Sequence, residues 1–220
     1  MTEMLLNRSS QPGTPLLSVL GDAQIPLARM HEICGPARRT LAVLWAQAME
    51  QGPVIWVQPA WAEDRLFPAG LQCWANPARF IWVQPRREVD VLWSLEEALR
   101  AGVGGVVVGD LPKPPGLTAV RRLHLAAEAG ARLGGAPLAI LLTPGQGGAP
   151  GVETRWHFAA MPKADAIGDA PRFDEDMRTW QLERRRARMA PPAAWLVQAK
   201  VEAASITLLN ARPAQVSGAA

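Results

Sequence analysis

Short apolar runs of strand length recur along the first two thirds of the chain, and the segments between them repeat apolar residues at helical spacing. Unbroken apolar runs are typical of strands that are buried on both faces of a parallel sheet. The runs that predict strands cover residues 31–35, 53–58, 79–85, 103–108 and 138–142. The segments that predict helices cover residues 41–48, 87–101 and 118–133, with an irregular or partly helical stretch at 64–74.

Strands that alternate with helices along a chain pair in parallel, because each crossover helix returns the chain to the end of the sheet at which the previous strand began. Beyond a glycine-rich loop at 145–151, which we expect to be flexible, large apolar residues alternate with polar ones, as in antiparallel strands. The alternating residues are Trp156 and Phe158, Trp180 and Leu182, and Trp195 and Val197. The sequence therefore predicts an α/β fold: a doubly wound, mostly parallel sheet with helices on both faces and an antiparallel C-terminal extension.

One five-residue word, Ile-Trp-Val-Gln-Pro, occurs twice, at residues 55–59 and 81–85. A single repeat this short does not indicate a repeat architecture. It indicates two neighbouring strands in the same environment, each of which leaves the sheet at a proline.

The two ends of the chain differ from its middle. Residues 1–26 form an N-terminal segment whose apolar cluster, at residues 16–20, predicts a short helix on the core or an anchor for a partner. Packing within the chain is favoured, since the first helix of the domain would otherwise be exposed. Residues 27–205 form one domain, and we expect a disordered tail at 206–220, where residues 211–220 are small and polar.

Composition excludes several classes of protein. With 49% hydrophobic and 20% charged residues over 220 positions, the chain is globular. Two cysteines rule out a disulfide scaffold, and three widely spaced histidines offer no metal-binding pair, so we expect no metal and assign His124 and His157 to packing or surface roles. No apolar run is long enough to span a membrane and no secretory signal is present, so we expect a cytoplasmic protein.

Positive charge is concentrated near the C-terminus. Residues 178–200 hold six basic residues and one acidic residue, although the net charge of the chain is only +3. Four of the basic residues fall within five positions: Arg184, Arg185, Arg186 and Arg188. In an extended strand Arg184, Arg186 and Arg188 share one face. Their density predicts a surface that binds nucleic-acid phosphates or an acidic partner, with a solvated strand edge that resists aggregation as the alternative.

The turn between the first predicted strand and helix lies where a phosphate-binding loop would lie. Such a loop requires the spacing GxxxxGK[ST], because its backbone N–H groups and lysine hold the phosphates. Residues 35–40 read Gly-Pro-Ala-Arg-Arg-Thr, so the second glycine and the lysine are absent and the loop is two residues short. Either the segment is an ordinary turn, or Gly35, Arg39 and Thr40 keep a vestigial phosphate contact.

Asp110 ends a predicted apolar strand, as the magnesium-binding aspartate of nucleotide-hydrolysing proteins does. Without the lysine of the phosphate loop, a structural role is favoured, such as acceptance of backbone N–H groups in the next turn. Together Gly35, Arg39, Thr40 and Asp110 form the candidate nucleotide site. We expect this site to be inactive and the protein to carry no cofactor.

Several words of the sequence, in their order along the chain, resemble the RecA family. Residues 30–36 are similar to the strand that enters the phosphate loop of RecA, and the later words resemble ImuA, the short RecA-like protein of bacterial mutagenesis cassettes. The matching words are residues 30–36, 52–57, 117–123 and 180–188, followed by Trp195. The resemblance covers residues 27–205.

The resemblance to ImuA implies a RecA-like fold and a role in SOS-induced translesion DNA synthesis. It implies that the chain binds ImuB, a catalytically inactive Y-family polymerase homologue, and supports an error-prone C-family DNA polymerase. RecA ATPases carry an intact phosphate loop and a catalytic glutamate, whereas this chain has Ala60 at the matching position. We therefore expect a non-catalytic adaptor and no enzyme activity.

Two alternatives to the adaptor stay open at this point. One is a residual nucleotide-dependent ATPase that uses Arg39, Thr40 and Asp110. The other is a modulator that docks on RecA itself. Direct contact with DNA also stays open.

Overall fold

The computed structural model describes residues 15–20, 23–161, 177–202 and 205–214, with side chains described up to residue 200. Its strands are β1 (Leu16–Leu20), β2 (Ala23–Pro26), β3 (Met30–Cys34), β4 (Val54–Val57), β5 (Phe80–Val83), β6 (Val106–Asp110), β7 (Leu138–Leu142), β8 (Thr154–Ala160), β9 (Met177–Ala187), β10 (Ala193–Glu202) and β11 (Ser205–Ala214). Its helices are α1 (Arg38–Ala48), α2 (Pro68–Leu71), α3 (Glu88–Arg100) and α4 (Leu117–Leu133), and a 3-10 turn covers Pro77–Arg79.

One nine-stranded sheet organises the described chain, in the order β11-β10-β9-β8-β3-β7-β6-β4-β5. The six strands from β8 to β5 are parallel to one another. The three strands β9, β10 and β11 extend the sheet from β8 by antiparallel pairing. This order confirms the predicted α/β fold with a mostly parallel sheet and an antiparallel C-terminal extension.

Apolar side chains cover both faces of the parallel part of the sheet. Successive residues of a strand point to opposite faces, and in β6 Val106 and Val108 pack in one core with α1, whereas Val107 packs in the other core with α3 and α4. All three valines are buried, which explains why this strand reads as an unbroken apolar run. The helices therefore lie on both faces, as predicted.

The N-terminal apolar cluster forms a strand, so the predicted helix is wrong. β1 pairs with β2 in a separate two-stranded antiparallel sheet, and this pairing satisfies the backbone groups that a helix would satisfy internally. Val19 and Leu20 are buried in the core that contains α1, which confirms the expected packing within the chain. Residues 1–14 lie outside the described part of the chain.

The two copies of the Ile-Trp-Val-Gln-Pro word form neighbouring strands, as predicted. β4 and β5 pair with the two words in register, so that Ile55 lies opposite Ile81 and Trp56 lies opposite Trp82. The expectation of equal environments is wrong, because β5 is the edge strand of the sheet. Trp56 is fully buried whereas its counterpart Trp82 is half-buried, and Ile81 is 51% exposed whereas its counterpart Ile55 is half-buried.

The prediction of a disordered tail from residue 206 is wrong for the residues up to 214. Ser205–Ala214 forms β11 and pairs with β10 along its length. Residues 205–209 read Ser-Ile-Thr-Leu-Leu, an apolar and β-branched pattern typical of a strand, and only the residues from 211 onward are mostly small or polar. Residues 215–220 lie outside the described part of the chain.

Candidate functional site: a degenerate nucleotide site and a basic strand

The segment that corresponds to a phosphate loop lies between β3 and α1, at the carboxyl ends of the parallel strands, where α/β sheets bind ligands. Gly35 has a φ of +92°, and a Cβ at this position would lie 2.5 Å from the carbonyl oxygen of Phe158 in β8, so only glycine fits. The backbone N–H of Ala37 donates to the same carbonyl at 3.0 Å. This contact with β8 occupies a donor that a phosphate would otherwise use.

Arg39 and Asp110 meet in this site although 71 positions separate them in the sequence. Nε of Arg39 donates to Oδ2 of Asp110 at 2.6 Å, and the Asp110 side chain is only 3% exposed. Arg39 also donates to the backbone oxygen of Asp64 at 3.1 Å. The cation that would neutralise a phosphate is thus bonded to the carboxylate that would hold magnesium.

Burial raises the pKa of Asp110 above its ordinary value, and the charge and hydrogen bond of Arg39 oppose that rise. Asp110 thus forms an ion pair with Arg39 in the first turn of α1. The sequence favoured a structural role in which Asp110 accepts backbone N–H groups, and the structure shows this ion pair instead. Thr40, the next residue of α1, is half-buried. The site therefore brings Arg39 and Asp110 into contact and leaves Gly35 against β8.

A fully buried carboxylate, Glu32 of β3, is a residue that the sequence analysis missed. Its Oε1 accepts hydrogen bonds from the Thr143 hydroxyl at 2.7 Å and from the backbone N–H groups of Gly148 and Ala149 at 2.8 and 2.9 Å. Its Oε2 accepts from Nε of Arg155 in β8. The available signal was a charged residue inside an apolar strand, because glutamate is almost never fully buried without a partner.

These contacts anchor the glycine-rich loop at 145–151, so the expectation of a flexible loop is wrong. Arg155 donates to the carbonyl oxygen of Ala149 at 2.9 Å, and the N–H of Gly35 donates to the carbonyl oxygen of Gly145 at 3.0 Å. The loop contains glycines because its backbone adopts positive φ angles, which other residues rarely adopt. Four of them have positive φ: Gly145, Gly147, Gly148 and Gly151.

His31 precedes Glu32 in β3 and is also fully buried. Its Nε2 lies 2.8 Å from the carbonyl oxygen of Pro26, and its Nδ1 lies 2.7 Å from the Thr154 hydroxyl. Burial lowers the pKa of His31 to about 4, so the ring is neutral near pH 7. Because a carbonyl only accepts, Nε2 carries the proton, and the ring joins β2 and β8 to β3.

The other two histidines are also partly buried. Nδ1 of His124 accepts from the backbone N–H of Met30 at 3.2 Å, and its Nε2 lies 3.1 Å from the carbonyl oxygen of Gly151. His157 lies beside Gly35, at the turn between β3 and α1. Burial lowers the pKa of both rings.

We call the end of β9 with Arg184, Arg185 and Arg186, together with Arg188 just after it, the basic strand; its arginines do not share one face. β8 and β9 pair with a bulge, so that Arg184 lies opposite Trp156, whereas Arg186 lies opposite Arg155. The extra residue, Arg185, reverses the alternation of side chains. The shared face that the sequence predicted for Arg184 and Arg186 is wrong for this reason.

Arg184 and Arg185 are engaged within the fold. The guanidinium of Arg184 lies 5.7 Å from the ring centroid of Trp156 and 5.3 Å from that of Trp195. Nε of Arg185 donates to the Glu183 carboxylate at 2.8 Å. Arg184 is therefore part of the tryptophan packing on the β8–β10 sheet, and its positive charge is only half-exposed.

Arg186 and Arg188 are the accessible part of the basic strand, because the exposed Arg185 is already paired with Glu183. Both residues are exposed, and Arg188 lies 3.6 Å from the Glu153 carboxylate with 57% of its side chain exposed. Arg186 forms no ion pair with any residue that the structure describes. Two of the four predicted arginines are thus available to an anionic partner.

Other chemistry is sparse in the described ranges. Cys34 is buried, which raises the pKa of its thiol to about 11, and neither Cys34 nor Cys73 forms a disulfide with a described residue. The described residues contain no cluster of three side chains suited to holding a metal ion. No helix among them is long and apolar enough to cross a membrane.

The chain matches no model of a known protein family, and no curated protein matches its sequence. Among solved structures it is similar to SulA from Pseudomonas aeruginosa, with 20% identity, a TM-score of 0.37, and coverage of 53% of this chain and 98% of that chain. A likeness at this TM-score transfers no function from one chain to the other. The resemblance to the ImuA family therefore stays an expectation from the sequence.

Proposed function

We propose that the protein is a non-catalytic RecA-like adaptor of SOS-induced translesion DNA synthesis. In this role it acts in the cytoplasm, binds an ImuB-type inactive polymerase and, through it, supports an error-prone C-family polymerase. The observation that carries the non-catalytic part is the ion pair between Arg39 and Asp110 inside the candidate nucleotide site. The partners follow from the resemblance to ImuA.

Nucleotide hydrolysis at this site would require several contacts to break at once. Arg39 would have to leave Asp110 to reach a phosphate, and Asp110 would have to exchange that cation for magnesium. The Ala37 N–H would have to leave the carbonyl of Phe158. Leaving the buried Asp110 without its cation costs about 3–5 kcal/mol, and the short loop without a lysine gives a triphosphate few compensating contacts.

We expect no measurable ATP hydrolysis and an ATP Kd no tighter than about 1 mM, which corresponds to about 4 kcal/mol of binding free energy. Calorimetric titration with magnesium-ATP and a phosphate-release assay measure these two quantities. Micromolar, magnesium-dependent ATP binding that Thr40→Ala or Asp110→Ala abolishes would contradict the proposal. That result would favour the residual ATPase.

The accessible arginines of the basic strand, Arg186 and Arg188, are the surface that we expect to contact the partner. Exposed positive charges steer an acidic partner and set its orientation. Arg184 is left out of this surface because its guanidinium packs on two tryptophan rings. Replacing Arg184 would therefore disturb the fold and confuse a binding measurement.

The double reversal Arg186→Glu and Arg188→Glu is expected to weaken binding to purified ImuB about 10-fold or more, because like charges then face each other across the interface. The melting temperature should fall only slightly: Arg188→Glu places a like charge near the Glu153 carboxylate, but exposed charges contribute little to stability. Pull-down with ImuB and a melting curve measure the two effects.

The matched control is Arg121→Glu with Arg132→Glu, which reverses two exposed arginines on α4. Equal retention of ImuB by all three proteins would show that the basic strand is not the interface. Retention of RecA in place of ImuB by the wild type would favour the modulator that docks on RecA. Loss of binding in both double variants would indicate a net-charge effect only.

A further inference from the structure

The nine-stranded sheet ends in two edge strands of very different length. β5 has four residues and is followed closely by Pro85 and by two exposed arginines, Arg86 and Arg87. β11, at the opposite edge, has ten residues, and its outer side pairs with no strand that the structure describes. Short length, charge, proline and bulges protect edge strands from pairing with other chains. β5 is protected by its length, and β11 is not.

The features that protect β11 all lie in its second half. Its register with β10 shifts at Leu209, and Arg212 and Pro213 follow. Residues 205–209 read Ser-Ile-Thr-Leu-Leu, without a charge or a proline. Alternate residues of an antiparallel strand direct their backbone N–H and C=O groups away from the neighbouring strand. The first half of β11 is therefore a template for one more strand.

The register with β10 places the apolar and polar residues of this segment on opposite faces of the sheet. Leu208 lies opposite Ala199, which belongs to the buried core, and Ile206 shares that face. Thr207 lies opposite Lys200, on the other face. A strand that fits this edge therefore carries apolar residues on one face and a small polar residue on the other.

We propose that the added strand is the same segment of a second copy of this chain, paired antiparallel about a twofold axis at Thr207. In this register Ile206 of each copy lies opposite Leu208 of the other, and the two Thr207 residues lie opposite each other. Apolar residues thus meet apolar ones, and a threonine pair across two strands is favourable. A twofold axis makes one segment serve as both surface and partner.

The charges of this part of the chain also favour a second copy. Arg212 is the one charged residue of β11. Antiparallel pairing about Thr207 places the two Arg212 residues at opposite ends of the interface, roughly 30 Å apart along the strands. Each then lies toward the end at which the other copy has Glu202, the last residue of β10. Like charges are kept apart, and opposite charges lie at the same end.

Pairing at this edge leaves the basic strand accessible. Arg184 lies opposite Ala193, at the start of β10, whereas Thr207 lies opposite Lys200, near its end. The arginines of the two copies are therefore remote from the twofold axis and lie on opposite sides of it. This inference goes beyond the adaptor role and does not depend on it.

The first test is sedimentation equilibrium of the full-length chain between about 1 and 200 μM, a range that brackets micromolar Kd values. Five residues of strand pairing give an interface below the standard size, so we expect a dimer with a Kd of about 10–100 μM. Hydrogen exchange should show that protection of residues 205–209 increases with concentration. A monomer at every concentration, or a dimer without added protection in this segment, overturns the proposal.

The second test uses Thr207→Glu, which places two carboxylates opposite each other at the twofold axis and should weaken the dimer about 10-fold or more. Within each chain the new carboxylate lies opposite Lys200, so we expect the fold to be retained, which a melting curve checks. The matched control is Thr118→Glu, which changes the net charge equally at an exposed position in the first turn of α4. Equal dimerisation of Thr207→Glu and the wild type, or equal weakening by the two variants, contradicts the proposal.

A third variant, Thr207→Lys, tests the position of the axis. Alone it should also weaken the dimer, because like charges again meet, but an equimolar mixture with Thr207→Glu should dimerise, because opposite charges then face each other. Failure of the mixture to recover the dimer would place the axis elsewhere and overturn the proposal. A monomeric chain that dimerises once residues 1–14 are removed would assign the edge to that segment instead, which also overturns it. Neither result bears on whether ImuB is bound.

Discussion

Replacing Glu32 with alanine is expected to lower the free energy of unfolding by about 3–5 kcal/mol, as when one partner of a buried ion pair is removed. The substitution leaves the charge of Arg155 without its carboxylate, with only 20% of that side chain exposed. It also removes the acceptor of the Thr143 hydroxyl and of the N–H groups of Gly148 and Ala149. Urea unfolding near pH 7, followed by tryptophan fluorescence, measures the loss.

Glu97→Ala is the control for this substitution, because Glu97 is exposed on α3 and pairs with Arg100 at the surface. Its removal should change stability by at most about 1 kcal/mol. Hydrogen exchange gives a second readout: the amides of Gly148 and Ala149 should lose protection in Glu32→Ala and keep it in Glu97→Ala. Equal stabilities of the two variants would show that Glu32 does not hold the loop.

Replacing Arg39 with methionine is expected to lower the free energy of unfolding by about 3 kcal/mol near pH 7, because Asp110 then stays buried without its cation. The loss should depend on pH. Burial already raises the pKa of Asp110 in the folded protein, and without Arg39 it rises further. A carboxyl group whose pKa is raised by folding binds a proton more readily in the folded than in the unfolded state. The free energy of unfolding therefore increases as the pH falls and Asp110 becomes protonated in the folded protein.

The difference between Arg39→Met and the wild type should therefore be smaller near about pH 5 than near pH 7. The double variant Arg39→Met with Asp110→Asn should recover most of the lost stability, because no unpaired charge remains. Urea unfolding at the two pH values checks both statements. A loss that is the same at both pH values and is not recovered in the double variant would mean that Arg39 acts through packing alone.

The α/β fold could be predicted because both faces of the parallel strands are buried. Most residues of such a strand are apolar, so β6 and β7 stand out as apolar runs whatever the order of strands in the sheet. The repeated word was informative for the same reason: equal side chains in adjacent strands meet at equal heights when the strands pair in register. Strand β11 was not predicted, although its first half reads Ser-Ile-Thr-Leu-Leu, because the small and polar residues from 211 onward were extended to the whole tail.

The candidate site was only partly predictable. Its position followed from the order of strand, turn and helix, and the sequence of residues 35–40 shows that the lysine of a phosphate loop is absent. The contact between Arg39 and Asp110 could not be predicted, since these residues are 71 positions apart in the sequence and come together only when β6 and α1 pack in the fold. The buried role of Glu32 likewise depends on a loop and a strand more than 100 positions away.

By itself, then, the sequence determined the alternation of strands and helices from β3 to β7, the parallel sheet and the pairing of β4 with β5, because these depend on local periodicity and on which faces are buried. Tertiary structure alone decided how the charged side chains are used. A single extra residue at the β8–β9 bulge sends Arg184 onto two tryptophan rings and Arg186 to the other face. Electrostatic partners are set by distances across the fold, and a local pattern of residues carries no information about those distances.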